Sequence, residues 1–121
     1  APAQPQSIEL YGAKTAINGT YDVVGKEDGV NLYRRRGSNF YCMRHTDGKT
    51  VAWWITEWRN GNKRNTTDFY FCKAGGATPP VQGWRVDKHC KGKMPPPKLR
   101  FKAAAPQQAR GAIPRTASTR I

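Results

Sequence analysis

The chain has 121 residues and a formal net charge of +13 at pH 7, from 21 basic side chains and eight acidic ones. This length fits one small domain, and the sequence lacks the run of about 20 apolar residues that a membrane-spanning helix requires. The basic surplus is uneven, because residues 88–121 hold nine lysines and arginines and no acidic residue. We therefore expect an anionic partner, such as an acidic protein face, a nucleic acid or a membrane surface.

The first 16 residues are predicted to form an extended N-terminal arm, in which residues 8–11 could add a short edge strand. Runs rich in β-branched and aromatic residues then alternate with turns that contain glycine, asparagine or proline. This pattern is typical of short strands in an antiparallel sheet. The predicted strands cover residues 19–24, 30–34, 39–44, 50–57, 67–72, 83–86 and 98–101.

The turn signals and the tryptophans support this division of the chain. Asp47-Gly48 is a strong hairpin signal, since both residues accept the positive φ of a tight turn. In the strand that follows, Trp53 and Trp54 point to opposite faces because side chains alternate along a strand. Tryptophan on both faces predicts a central strand that is covered on both sides.

Aromatic residues are the main source of buried area in a small domain, since each can bury about 150–250 Å². Those expected in the core are Trp53, Phe69, Phe71 and Trp84. Those expected to be exposed as contact residues are Tyr41, Trp54 and Trp58.

These signals predict an all-β fold. We expect a small antiparallel meander of six or seven short strands, arranged either as a sandwich or as a partly open barrel, with extended N- and C-terminal arms. The expected division is an arm at residues 1–16, a β domain at residues 17–102 and a basic extended tail at residues 103–121.

The order of the aromatic landmarks resembles a short β-module found in many algal and protist proteins. That module shows Gly-x-Tyr, Tyr-x-Arg, Trp-x-Ile and Gly-Trp-x-Val, followed by prolines. The matching residues lie within about residues 17–100, at Gly19-Thr20-Tyr21, Tyr33-Arg34-Arg35, Trp53-Trp54-Ile55 and Gly83-Trp84-Arg85-Val86. The chain departs from the module in having Asp28-Gly29-Val30-Asn31 where an Asn-Gly-x-Pro turn is usual. The resemblance implies a small β fold and provides no catalytic residue.

The sequence offers little catalytic or metal-binding chemistry, and we predict neither an enzyme nor a bound cofactor or metal. A metal site could combine His45 and Cys42 with His89 and Cys90, but their spacing matches no common zinc pattern. The three cysteines leave one over from any single pair. Reduced structural cysteines are favoured, and the best candidate disulfide is Cys42–Cys72, since both residues lie in aromatic strand-like runs.

Basic residues beside aromatic ones are the strongest functional signal, since cations can hold anionic groups while rings supply flat contact area. The tail adds arginines at every fifth position, with prolines that favour an extended chain. The expected partner-binding residues are Arg34, Arg35, Arg36, Trp58, Arg59, Lys98, Arg100, Arg110, Arg115 and Arg120. The alternative is that the arginines form a solvated turn and the tail is a solubilising extension.

Three functions are open at this point. The first is a non-enzymatic accessory subunit of a larger organellar assembly, with the tail stapling neighbouring protein subunits. Given the algal resemblance, we expect a photosystem, a photosynthetic membrane complex of the plastid thylakoid, with anionic lipid or pigment at the periphery. The second is an organellar ribosomal or other RNA-binding protein, in a plastid or a mitochondrion. The third is a secreted carbohydrate- or protein-binding module, in which the glycosylation patterns at Asn18 and Asn65 would matter.

Overall fold

The computed structural model describes residues 4–102. These residues form one antiparallel sheet of seven strands, which curls into a half-barrel. The strands are β1 (Ser7–Tyr11), β2 (Gly19–Glu27), β3 (Val30–Arg35), β4 (Phe40–Asp47), β5 (Thr50–Trp58), β6 (Thr66–Lys73) and β7 (Lys98–Lys102). The only helical element in the described part of the chain is a single 3-10 turn at Arg59–Gly61. The predicted all-β fold is confirmed, in the form of the partly open barrel.

The first six strands form a meander, in which each strand pairs with the next one along the chain. β7 then pairs with β1, so the order across the sheet is β6-β5-β4-β3-β2-β1-β7. Residues 74–97 connect the two edge strands. Within this segment Arg85 forms a backbone bridge with Phe71 of β6, and Val81 O accepts a hydrogen bond from Leu99 N of β7 at 2.8 Å. The segment therefore contacts both of the edges that a closed barrel would pair directly.

Two predicted boundaries are wrong. β1 is neither an arm nor an edge strand, because it lies between β2 and β7 and buries Ile8 and Leu10. The β domain therefore includes Ser7 and does not begin at residue 17. The strand predicted at residues 83–86 is reduced to one backbone bridge, since Gly83 has a φ of 91°, which interrupts the extended backbone.

The core lies on the inner face of the curled sheet. Its largest fully buried side chains include Trp53, Tyr21, Tyr33 and Tyr70. The three tyrosine hydroxyls each donate a hydrogen bond to a backbone carbonyl, at Ile17, Pro5 and Lys93 respectively. Because a buried hydroxyl without a partner is costly, these bonds allow tyrosine to serve as a core residue.

The two tryptophans that the sequence assigns to the core are both buried, which confirms that prediction. Their indole N–H groups donate to carbonyls of the segment at residues 74–97: Trp53 to Gly76 O at 3.2 Å and Trp84 to Pro80 O at 2.9 Å. The Trp53 bond therefore attaches the segment to the core, whereas the Trp84 bond lies within the segment.

The two phenylalanines of β6 have different positions. Phe69 is partly buried and packs against the core, as expected. Phe71 is not a core residue, because the register of β6 pairs it with Trp54 on the outer face of β5. The centres of these two rings are 5.4 Å apart.

Candidate functional site

The three consecutive arginines around the end of β3 do not form one patch. Arg34 and Arg36 are exposed, whereas Arg35 is partly buried. Because side chains alternate along a strand, Arg35 turns to the opposite side, where its guanidinium lies 5.8 Å from the centre of the Phe40 ring. It also packs against Gly19, where an added Cβ atom would lie 2.8 Å from Arg35 Nε. Packing therefore explains Arg35 better than contact with a partner.

The last strand, β7, presents a second group of cations. Lys98, Arg100 and Lys102 are all exposed and occupy alternate positions, so they share one face of the strand. Arg100 Nε lies 3.2 Å from Glu9 Oε1. The same guanidinium lies 4.1 Å from the centre of the Tyr11 ring. These contacts fix Arg100 on the outer surface of β1.

The strand register joins the two groups into one surface. Arg34 on β3 is paired with Asp22 on β2. Asp22 is paired with Ser7 on β1, which is paired with Lys102 on β7. Neighbouring strands are about 4.8 Å apart, so this row spans roughly 14 Å. We define the basic face as Arg34, Arg36, Lys98, Arg100 and Lys102.

The acidic groups on the basic face are held by their neighbours. Asp22 accepts two hydrogen bonds from the Arg36 guanidinium, at 2.5 and 3.1 Å, and one from Ser7 Oγ at 2.6 Å. The hydrogen bond from Arg36 lowers the pKa of Asp22, so the carboxylate is charged at neutral pH. With Asp22 and Glu9 set against its five cations, the face has a net charge of +3.

The other predicted partner-binding residues lie elsewhere. Trp58 is buried at the end of β5, with 9% of its surface exposed. Arg59 follows it at the exposed start of the 3-10 turn. β4 separates β5 from β3, so neither residue belongs to the basic face. The three tail residues, Arg110, Arg115 and Arg120, lie outside the described residues.

A cleft of about 290 Å³ lies on the outer face of β4, β5 and β6. The residues that line this outer cleft are Met43, His45, Trp54, Thr56, Trp58, Lys63, Thr66 and Asp68. The strand register brings these residues together. Trp54 of β5 is paired with Met43 of β4, and Thr56 of β5 is paired with Asp68 of β6.

Aromatic side chains form much of the outer cleft. Trp58 stacks on Tyr41, with ring centres 3.7 Å apart and an angle of 18° between the ring planes. Both rings are buried because they also pack with Leu32 and Met43, so the prediction that they are exposed is wrong. Trp54 is partly exposed. It is the one residue of the predicted contact trio that keeps an accessible ring.

Polar groups are positioned around this aromatic surface. The buried Thr56 hydroxyl lies 2.9 Å from Asp68 Oδ1 and 3.1 Å from Thr67 O, so its one proton is shared between the carboxylate and this carbonyl. Lys63 Nζ lies 2.8 Å from Glu27 Oε1, so this ion pair joins the loop after the 3-10 turn to the end of β2. The buried indole Nε1 of Trp58 makes no hydrogen bond with any residue from 4 to 102. The cleft therefore combines flat apolar surface, a carboxylate acceptor and a cation.

The three cysteines are free thiols. The candidate disulfide between Cys42 and Cys72 is not formed, because β5 lies between the strands that carry them. Two strand spacings alone separate the Cα atoms by about 9–10 Å, and the register offsets Cys42 and Cys72 by two positions as well, so the pair lies beyond the roughly 7 Å that a disulfide can span. Burial raises the pKa of the Cys42 thiol, and burial raises the pKa of Cys90 to about 11. These thiols are therefore protonated at neutral pH and are poor nucleophiles.

The residues that the sequence offers as a metal site do not come together in the structure. Cys42 lies in the core, whereas His45 of the same strand is exposed. Across residues 4–102, no group of three His, Cys, Asp or Glu side chains could hold a metal ion. The same residues include no helix that is long and apolar enough to cross a membrane.

The two glycosylation patterns have different surroundings. The Asn18 amide donates to Ala13 O at 2.7 Å and accepts from Ala13 N at 3.2 Å, so its nitrogen is already engaged in a turn. Asn65 is exposed in the loop before β6. Of the two, Asn65 is the more accessible acceptor.

Sequence reasoning missed Lys102 on the basic face and most of the outer cleft. The alternation of Lys98 and Arg100 was a usable signal for Lys102. Asp68 gave no such signal, because its position depends on the register between β5 and β6. Comparison with protein-family models, curated proteins and solved structures finds no match to this chain, so the resemblance to the algal and protist β-module stays a prediction.

Proposed function

We propose that the protein is a non-enzymatic accessory subunit that docks on an acidic protein surface of a larger organellar assembly. The observation that carries this proposal is the basic face, whose cations are aligned by the strand register on a hydrogen-bonded sheet. Complementary charge of this kind directs association and fixes orientation. β7 also leads directly, in sequence, into the basic tail with its three further arginines.

A protein partner is favoured over a nucleic acid at the basic face. Asp22 and Glu9 lie among the cations and would repel a phosphate backbone. A protein surface that carries both signs can pair with both. The guanidinium groups of Arg34, Arg36 and Arg100 also match the planar geometry of carboxylates.

Binding is favoured over catalysis by the character of the ionisable groups. The buried Cys42 thiol is protonated at neutral pH, and so is Cys90. His45 and His89 are exposed, and although His45 lines the outer cleft, neither side chain is shielded from water as a catalytic base usually is.

The specific assembly that we propose is a photosystem of the plastid thylakoid. This choice rests on the resemblance of residues 17–100 to β-modules of algal proteins. At the periphery of such a complex, the basic face and the tail would meet protein carboxylates, with anionic lipid or pigment nearby. An organellar ribosome and a secreted binding module are the competing functions.

Purification of the native particle that contains this chain separates these functions. Its absorption spectrum and its RNA content are recorded together. Chlorophyll bands without stoichiometric RNA would support the photosystem. RNA without pigment would contradict it and favour the ribosome or another RNA assembly. If the chain purifies alone, the assembly proposal itself is contradicted.

The basic face is tested by a triple variant, Lys98→Gln, Arg100→Gln and Lys102→Gln. We expect this variant to be lost from the particle at a lower salt concentration than the unaltered chain, because exposed charge pairs are screened by salt. The matched control carries the same charge change at three other exposed lysines, Lys14, Lys49 and Lys88. Equal loss of both variants would indicate a net-charge effect and contradict docking through the basic face.

A further inference from the structure

We propose that the outer cleft binds a nucleotide, with a planar base on its aromatic surface and a phosphate at its cationic rim. The cleft lies over β4, β5 and β6, whereas the basic face lies over β3, β2, β1 and β7. This site is therefore separate from the docking function and does not depend on it.

Trp54 provides the surface on which the base stacks. Its ring is partly exposed, lines the cleft and leans on Phe71 at 31° between the ring planes. At the other end of the cleft, stacking on Tyr41 fixes the ring of Trp58. Aromatic rings that are already fixed bind bases with little loss of side-chain entropy. A volume of about 290 Å³ is at the small end of ligand sites, which suits a single ring system.

Asp68 supplies the hydrogen-bond acceptor for the edge of the base. Its Oδ1 lies 2.9 Å from the Thr56 hydroxyl, which leaves Oδ2 to accept from a ligand. Its backbone is also fixed, since its carbonyl accepts from Lys91 N at 2.8 Å. A carboxylate in this position suits the exocyclic amino group of a base such as cytosine.

The rim of the cleft supplies the cations for the phosphate. Lys63 lines the cleft, and Arg59 and Arg64 are exposed in the same loop. The loop is closed by a backbone hydrogen bond from Arg59 N to Asn65 O at 2.8 Å. A bound phosphate would compete with Glu27 for the Lys63 ammonium, so the exposed Arg59 and Arg64 must supply the rest of the positive charge at this rim.

The combination of these groups selects against simpler ligands. A neutral sugar would use the aromatic surface and Asp68 but none of the rim cations. An inorganic anion would use the cations but would leave the aromatic surface uncovered and would face the Asp68 carboxylate. A nucleotide satisfies all three features, whether it is free or part of a single strand.

The test is a calorimetric titration of the full chain with cytidine 5′-monophosphate. Ribose 5-phosphate is the comparison ligand, because it carries the same anion without a base. We expect saturable binding of the nucleotide that is at least about tenfold tighter than that of the sugar phosphate, since base stacking is the larger contribution. A cytidine hexaribonucleotide then shows whether the ligand is a free nucleotide or part of a single strand. Tighter binding of the hexaribonucleotide than of the mononucleotide indicates a single strand, and equal binding indicates a free nucleotide.

Trp54→Leu removes the stacking surface from a partly exposed position, and we expect it to weaken nucleotide binding roughly 5- to 150-fold. Asp68→Asn keeps the size of the side chain and removes its negative charge, so it should weaken nucleotide binding while the affinity for ribose 5-phosphate stays the same or rises. This second variant tests the site even if Trp54→Leu fails to fold. Phe101→Leu is the matched control, because Phe101 is a 42% exposed aromatic residue on β7, away from the cleft.

Three results would overturn the proposal. One is the absence of saturable binding by either the mononucleotide or the hexaribonucleotide. Another is equal affinity for the nucleotide and for ribose 5-phosphate, which would show that only charge is recognised. The third is an equal loss of affinity in Trp54→Leu and Phe101→Leu.

Discussion

Replacement of Gly92 by alanine tests how the segment at residues 74–97 closes the open side of the half-barrel. Gly92 lies against the fully buried Tyr70, and its N–H donates to Phe69 O at 3.2 Å. A Cβ atom at Gly92 would lie 2.5 Å from Tyr70 Cζ and 2.6 Å from Cε1, and it would also collide with Phe69 O. Ordinary carbon contacts need about 3.5–4.0 Å, so the ring or the backbone must move by roughly 1 Å.

The expected loss of stability follows from the contacts that this movement disturbs. Overpacking of a core costs about 1–3 kcal/mol. The Tyr70 hydroxyl donates to Lys93 O at 2.5 Å, and loss of such a hydrogen bond costs about 0.5–1.5 kcal/mol more. We therefore expect Gly92→Ala to lower the free energy of unfolding by about 2–4 kcal/mol. For a domain of this size, each 1 kcal/mol shifts the Tm by about 4–8 °C.

Urea and thermal unfolding, followed by tryptophan fluorescence and circular dichroism, measure this change. Gly75→Ala is the matched control, because it lies in the same segment and a Cβ atom there would meet nothing within 4 Å. We expect the control to stay within about 0.5 kcal/mol of the unaltered chain, or to gain slightly. If Gly92→Ala is as stable as the control, the contact between this segment and Tyr70 is not as described.

Two further predictions concern titratable groups. At pH 7.5 a thiol reagent should leave Cys42 unlabelled in the folded protein, because the thiol is buried and its pKa is raised. After unfolding without reductant, all three cysteines should react. If two of the three thiols fail to react, the protein contains a disulfide. The hydrogen bond from Arg36 lowers the pKa of Asp22 in the folded state. The charged Asp22 therefore stabilises the fold above the unfolded pKa of about 4, and this stabilisation is lost as the pH falls through the lower folded pKa. Asp22→Asn should therefore show a smaller loss of stability between pH 5 and pH 2 than the unaltered chain, as measured by urea unfolding; an identical slope would mean that the Asp22–Arg36 pair does not contribute.

The alternation of side chains made much of the sheet predictable from the sequence. Trp53 and Trp54 were placed on opposite faces by that rule alone, and the structure agrees. The same rule would have separated Arg35 from its neighbours, since consecutive residues of a strand cannot share a face. Alternation cannot give the pairing partner of a strand, which is why the sequence predicts an arm where β1 lies inside the sheet.

The outer cleft was harder to predict because a β-bulge decides which residues line it. Asp68 and Tyr70 are two positions apart, so simple alternation would put both on one face. In the structure Asp68 lines the outer cleft while Tyr70 is buried in the core. The reason is a register shift, in which Thr56 pairs with Asp68 but Ile55 pairs with Tyr70, leaving Phe69 as the extra residue. No local signal in the sequence marks this bulge.

The exposed apolar side chains on the outer face of the sheet are the feature that most strongly indicates a binding site. An antiparallel sheet with one covered face normally places polar side chains on the other. Here the inner face already holds the core, yet the outer face of β4, β5 and β6 carries Met43, Trp54 and Phe71, all partly exposed. Grouped apolar side chains on a small, highly charged protein are costly to leave in water, and they mark sites of contact. The basic face carries +3 of the chain's formal charge of +13 and leaves these apolar side chains uncovered, whereas the nucleotide proposed for the outer cleft would cover Met43 and Trp54.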